Sequence, residues 1–80
     1  MIKKMIRFTD SDQIIECCQL CQTFKSDIDL HSQKGFRMRI DAKSLLGMMS
    51  VHPGTLLNLF IDGEDEQDAA ERFRAYEVRV

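Results

Sequence analysis

The side chains able to do chemistry in this sequence are few. Three cysteines fall within Cys17-Cys18-Gln19-Leu20-Cys21, and there are no others. A lone C-x-x-C, with no second pair and with His31 and His52 distant in sequence, lacks the ligand spacing of a zinc site. Two adjacent cysteines are badly placed to pair with each other, so reduced thiols and a cytoplasmic setting are expected. The steps of three and four residues match the buried stripe of a helix, where cysteine is common. Neither histidine stands in an evident acid–base arrangement, and both read as surface residues. Asp10 and Asp12 bracket Ser11, and Ser44 stands just before Leu45-Leu46. Such residues cap helices. A carboxylate such as Asp10 can in principle take a phosphoryl group, but no metal-binding acid cluster or lysine accompanies it. No metal, no cofactor and no catalytic residue are expected, which favours a binding or carrier module over an enzyme.

The elements that position these residues follow from periodicity. Ile2, Ile6 and Phe8 share one face of a strand over 2–8. Ile14, Cys17, Cys18, Cys21 and Phe24 make one face of a helix over 12–24. Asp27 to His31 alternates strictly, Gln33-Lys34-Gly35 is a turn, and Phe36 to Asp41 alternates again. This predicts an antiparallel hairpin with Ile28, Leu30, Phe36, Met38 and Ile40 on its apolar face. Ala42 to Ser50 returns to helical period through Leu45, Met48 and Met49. Val51-His52-Pro53-Gly54 breaks it. Thr55 to Ile61 is a nearly continuous apolar run, the candidate central strand. Gly63-Glu64-Asp65-Glu66 opens a last helix whose acids suit its positive end, with Ala69, Phe73 and Tyr76 facing the core. The order β-α-β-β-α-β-α implies an α+β fold, with helices on one face of a four-stranded antiparallel sheet.

Bulk properties narrow the function. Eighty residues, 44% hydrophobic and 30% charged, make one domain over 1–80 with a modest core. The net charge of −2 and the absence of a coherent basic face argue against nucleic acid. No run approaches a membrane span, and no signal peptide is evident, since the apolar stretch Met5-Ile6 stops at Arg7.

Lys43-Ser44-Leu45-Leu46-Gly47-Met48-Met49-Ser50 resembles the opening of the second helix in HPr phosphocarriers of the bacterial sugar phosphotransferase system. Gly63-Glu64-Asp65-Glu66 resembles the acidic start of that family's third helix, and Phe24 with Ser26-Asp27-Ile28 the junction of its first helix and second strand. The Lys-Ser-x-x-Gly-x-x-Ser pattern is fairly specific, because neither period nor turn chemistry demands it. The resemblance implies an open-faced β-sandwich with three helices over four antiparallel strands. The hairpin is a few residues longer than usual, with the extra residues expected around Ser32 to Met38.

The N-terminal third departs from that pattern. The family carries a Gly-x-His-Ala-Arg-Pro segment, whose histidine takes a phosphoryl group from enzyme I and passes it to sugar-specific enzyme IIA proteins. Counting back from Asp27 without a gap puts Asp10 at the histidine, Asp12 at the arginine and Gln13 at the proline. Phosphoryl transfer needs a nucleophilic ring nitrogen and donors or cations for the oxygens. Two unit charges about 5 Å apart at an effective dielectric of ~20 repel by roughly 3 kcal/mol, so these carboxylates oppose an incoming phosphoryl group. The resemblance further implies that Ser44 matches the regulatory serine phosphorylated by a dedicated kinase in Gram-positive relatives, where a phosphate would meet free N–H groups at a helix start. Leu45, Leu46 and Met49 fall on the family's docking patch, with Leu46 and one of the other two expected to stay exposed. The leading expectation is a regulatory or adaptor protein with partners in the phosphotransferase or catabolite-control system. A degenerate phosphocarrier, and a scaffold domain with an unrelated partner, stay open.

Overall fold

The computed structural model describes residues 1–32 and 39–78. Its elements are β1 (Ile2–Ile6), α1 (Ser11–Cys21), β2 (Asp27–Ser32), β3 (Arg39–Asp41), α2 (Leu45–Met48), β4 (Leu57–Asp62) and α3 (Glu66–Arg72), continued by a 3₁₀ turn over Phe73–Tyr76. The four strands form one antiparallel sheet in the order β1-β4-β2-β3. The fold is an α+β open-faced sandwich. The expected turn at Gln33-Lys34-Gly35, the core positions Phe36 and Met38 and the proposed lengthening of the hairpin lie outside the described residues, apart from Ser32 at the end of β2.

Strand register explains the single covered face. Ile6 pairs with Leu57 and Ile2 with Ile61; Leu30 pairs with both Leu59 and Ile40. Side chains at paired positions point the same way. One face therefore carries Ile6, Leu57, Leu59, Ile61, Ile28, Leu30 and Ile40, all buried. Ile14, Cys17 and Cys21 of α1, Met48 of α2, and Ala69 and Phe73 near the C-terminus close over it. Burying each Leu, Ile or Phe contributes about 1.5–3 kcal/mol. β4 is central, as its apolar run suggests, yet it alternates buried and half-buried because only one face is covered. Phe60 lies on the open face, where the His31 ring packs at 4.7 Å and Lys3 Nζ stands 5.7 Å from the ring centroid.

Asp65 stitches α3 to the start of β2. The sequence places it among acids that serve the helix N-terminus, but its side chain makes no capping bond to its own helix. Instead its carboxylate accepts from the Lys25 N–H at 2.8 Å, the Ser26 N–H at 2.9 Å and the Ser26 hydroxyl. The Ser26 hydroxyl and these N–H groups hold the Asp65 carboxyl down at about 2, against an ordinary 3.8. The folded state thus holds its proton less tightly than the unfolded chain. This contribution to stability is complete above the unfolded pKa and is lost as pH falls through about 2. Asp65→Asn is expected to be less stable than wild type at pH 7 and to show a flatter loss between about pH 5 and pH 2. Urea denaturation at pH 7, 4 and 2.5 checks this; parallel pH profiles for the two proteins would refute it.

Candidate functional site

α1 opens on a closed set of bonds. Asp10 is the N-cap, with extended backbone, and its Oδ1 accepts from the Gln13 N–H at 2.9 Å. The Gln13 side chain reaches back, its Oε1 accepting from the Thr9 N–H at 2.9 Å. This is close to a capping box, except that the return bond goes to Thr9, the residue before the cap, and not to Asp10 itself. Gln13 stands where the resemblance puts a proline, and a proline would have no N–H to give. The donors that a helix start could offer an anion are thus partly taken by the chain's own carboxylate. Asp10 and Asp12 are both exposed, and neither joins an ion pair among the described residues. His31 belongs to the open sheet face, against Phe60. His52 is exposed on the loop after α2. That loop touches the chain near the mouth, because the Gly54 N–H donates to the Phe8 carbonyl at 2.8 Å.

Ser44 caps α2, its Oγ accepting from the Gly47 N–H at 3.2 Å. The helix is shorter than the expected span of 42–50. Asp41 turns the chain first, its carboxylate accepting from the Lys43 N–H at 2.9 Å and its carbonyl from the Ser44 N–H at 2.9 Å. Tight bonds from Ser50 to Gly47 and from Val51 to Met48 then end the helix. With only four residues in α2, few peptide dipoles align, so the field expected to favour a phosphate at Ser44 is small.

The short helix also decides what its side chains face. Only Met48 of the expected stripe is buried; Leu45 is 52%, Met49 71% and Leu46 84% exposed. At about 100° per residue, these three stand roughly 60°, 100° and 160° around the helix from Met48, and exposure rises in that order. Leu46 is exposed as expected, and so are both Leu45 and Met49, of which only one was expected to leave the core; the i, i+3, i+4 spacing groups them with Met48, but only Met48 turns inward. α1 adds Ile15, 43% exposed. Between the helices runs a shallow groove of about 130 Å³, lined by Ser11, Ile14, Ile15, Met48, Met49 and Val51. Sequence reasoning missed Ile15. The signal was available, since Ile15 is an isoleucine lying off the stripe of Ile14, Cys17, Cys18 and Cys21.

A family model described as the PTS HPr component phosphorylation site matches residues 13–77. This chain belongs to the HPr family. It is 40% identical over 60 residues to the HPr-like protein Crh of Bacillus subtilis, an alignment covering 72% of this chain and 67% of Crh. Its fold is similar to a crystal structure of the phosphocarrier HPr from Bacillus anthracis, with a TM-score of 0.77, 21% identity and 96% of each chain covered. It is also similar to a crystal structure of Crh, the Bacillus subtilis catabolite repression containing protein, described as a swapped, intertwined dimer. There the TM-score is 0.67, with 31% identity over 94% of this chain and 88% of that one. The family match begins at Gln13, after the stretch Thr9 to Asp12 where the sequence departs from the HPr carrier segment.

In this HPr fold the cysteines occupy the interior. All three are buried and free. A hydrogen bond with Cys21, together with burial, pushes the Cys17 thiol far up, which keeps it protonated and unreactive. No group of three metal-ligating side chains gathers among the described residues. Nor is any helix there long and apolar enough to cross a membrane. Behind the mouth, the Tyr76 hydroxyl donates to Glu16 Oε1 at 2.5 Å. Burial first, and then this carboxylate, raise the Tyr76 pKa.

Proposed function

We propose that this HPr family member is not a histidine phosphocarrier but a cytoplasmic regulator or adaptor, acting by contact with proteins of the phosphotransferase or catabolite-control system. Ser44 is its switch, and Leu45, Leu46 and Met49, joined by Ile15, are its docking patch. The observation that carries this reading is the Asp10 carboxylate bonded into the start of α1, at the residue that the resemblance aligns with the carrier histidine. It supplies no nucleophilic nitrogen, and it adds negative charge where a phosphoryl group would arrive. The likeness to Crh supports the regulatory side of the reading.

Incubated with enzyme I and phosphoenolpyruvate, the protein is expected to take up no phosphoryl label. With an HPr kinase and ATP it is expected to gain one phosphate, and Ser44→Ala to gain none. Label from phosphoenolpyruvate would overturn the reading. One contact favours a competing reading, in which His52 replaces the lost acceptor. The bond from Gly54 to Phe8 brings the loop of His52 to the chain two residues before Asp10. Label present in wild type and absent from His52→Ala would establish that alternative.

A further inference from the structure

We infer that the patch between α1 and α2 fits a partner surface whose apolar projections are ringed by lysine or arginine. The inference rests on the docking role proposed above and names the partner's chemistry. It comes from what borders the patch. The sequence has no lysine or arginine between Arg7 and Lys25, nor between Lys43 and Arg72. Hence α1, α2 and the loop after α2 offer no cation except through the imidazole of His52. Lys43, on the border, is already engaged, its Nζ donating to the Phe24 carbonyl at 2.8 Å beyond the far end of α1.

The opposite charge is present at the other end. Asp10 and Asp12 flank Ser11, which lines the groove with Ile15, Met48 and Met49. Both are exposed and lack a counter-charge among the described residues. A partner that buries Ile15, Leu45, Leu46 and Met49 must bring its own edge over these carboxylates. Desolvating them is costly unless that edge supplies cations, and an acidic edge is repelled. The polarity is the reverse of the arginine-bearing segment that the HPr resemblance aligns with Asp12. A phosphate on Ser44 would add about −1.5 to −2 charges next to Leu45. It would therefore strengthen a preference that the unmodified surface already has.

Two synthetic amphipathic helical peptides test this against the full-length protein. Both carry the same leucine stripe; one has lysines on its polar face and the other glutamates. In a heteronuclear NMR titration the lysine peptide is expected to move the amides of 10–16 and 44–51, and to bind at least about tenfold more tightly than the glutamate peptide. Asp10→Asn with Asp12→Asn is expected to remove most of that preference. Asp62→Asn with Asp68→Asn, the same change in net charge made elsewhere, is expected to keep it. Leu46→Asp, at an exposed position that folding does not use, is expected to abolish binding at the patch. Equal affinity for the two peptides, or shifts centred on 62–71, would overturn the inference and leave the docking role standing. Binding at the patch that survives Leu46→Asp would instead refute the docking role.

Discussion

Gly63→Ala is expected to destabilise the fold by about 2–6 kcal/mol, the sum of a strained backbone and an overpacked contact. Gly63 has a φ of +157° as the chain leaves β4 for α3. A Cβ built there would stand 2.5 Å from Ser26 Oγ and 2.6 Å from Ser26 Cα. The second contact is to backbone, so turning the serine side chain does not relieve it. Ser26 cannot retreat either, because its N–H and hydroxyl are both held by Asp65. Roughly 4–12 kcal/mol of total stability is typical for eighty residues, so the substitution removes a large share of it. Gly54→Ala is the control. Its φ is +88°, but nothing lies within 4 Å of the added carbon, so only the backbone term of about 1–2 kcal/mol remains. Urea denaturation of both variants checks the contrast. Equal losses would show that the close approach to Ser26 contributes nothing.

That contact also marks the limit of what the sequence discloses. Ile6, Phe8, the cysteine stripe and the alternation in β2 are legible because local period reports which face is covered. Leu57, Leu59 and Ile61 identify the central strand for the same reason. Asp65 is different. Its acidic neighbours point to a helix start, but its partners lie 39 and 40 positions away at Ser26 and Lys25, and no local pattern encodes a contact at that range. α2 is a milder case. A helical period over 42–50 does not reveal that Asp41 will hold the Lys43 N–H, delaying the helix until Leu45. The consequence reaches the candidate site, since a one-turn helix has one inward position, and Met48 takes it. The mouth of α1 was more readable. Asp10 followed by Gln13 three residues on is a capping signal in itself, and the carboxylate stands where the family resemblance puts its histidine.

The second large effect is expected at Phe8, where the mouth of α1 is anchored. Phe8 is 1% exposed. Its ring meets Tyr76 edge to face, with centroids 5.3 Å apart, and its carbonyl accepts from the Gly54 N–H. The neighbouring Arg7 N–H donates to the Tyr76 carbonyl at 3.0 Å. One residue thus joins the approach to Asp10, the loop of His52 and the C-terminal 3₁₀ turn. Phe8→Ala is expected to lose about 3–5 kcal/mol through the cavity it leaves, including the aromatic pair's own share of about 0.5–1.5 kcal/mol. Phe8→Leu should recover more than half, since it refills most of the volume without restoring the ring contact. A double-mutant cycle with Tyr76→Leu separates the two contributions. If the site hangs on this anchor, Phe8→Leu should also speed hydrogen exchange at Gln13 and Gly54 relative to Leu59 in the central strand. Uniform exchange across the three amides would mean that the mouth of α1 is held by its own capping bonds, and that Phe8 serves the core alone.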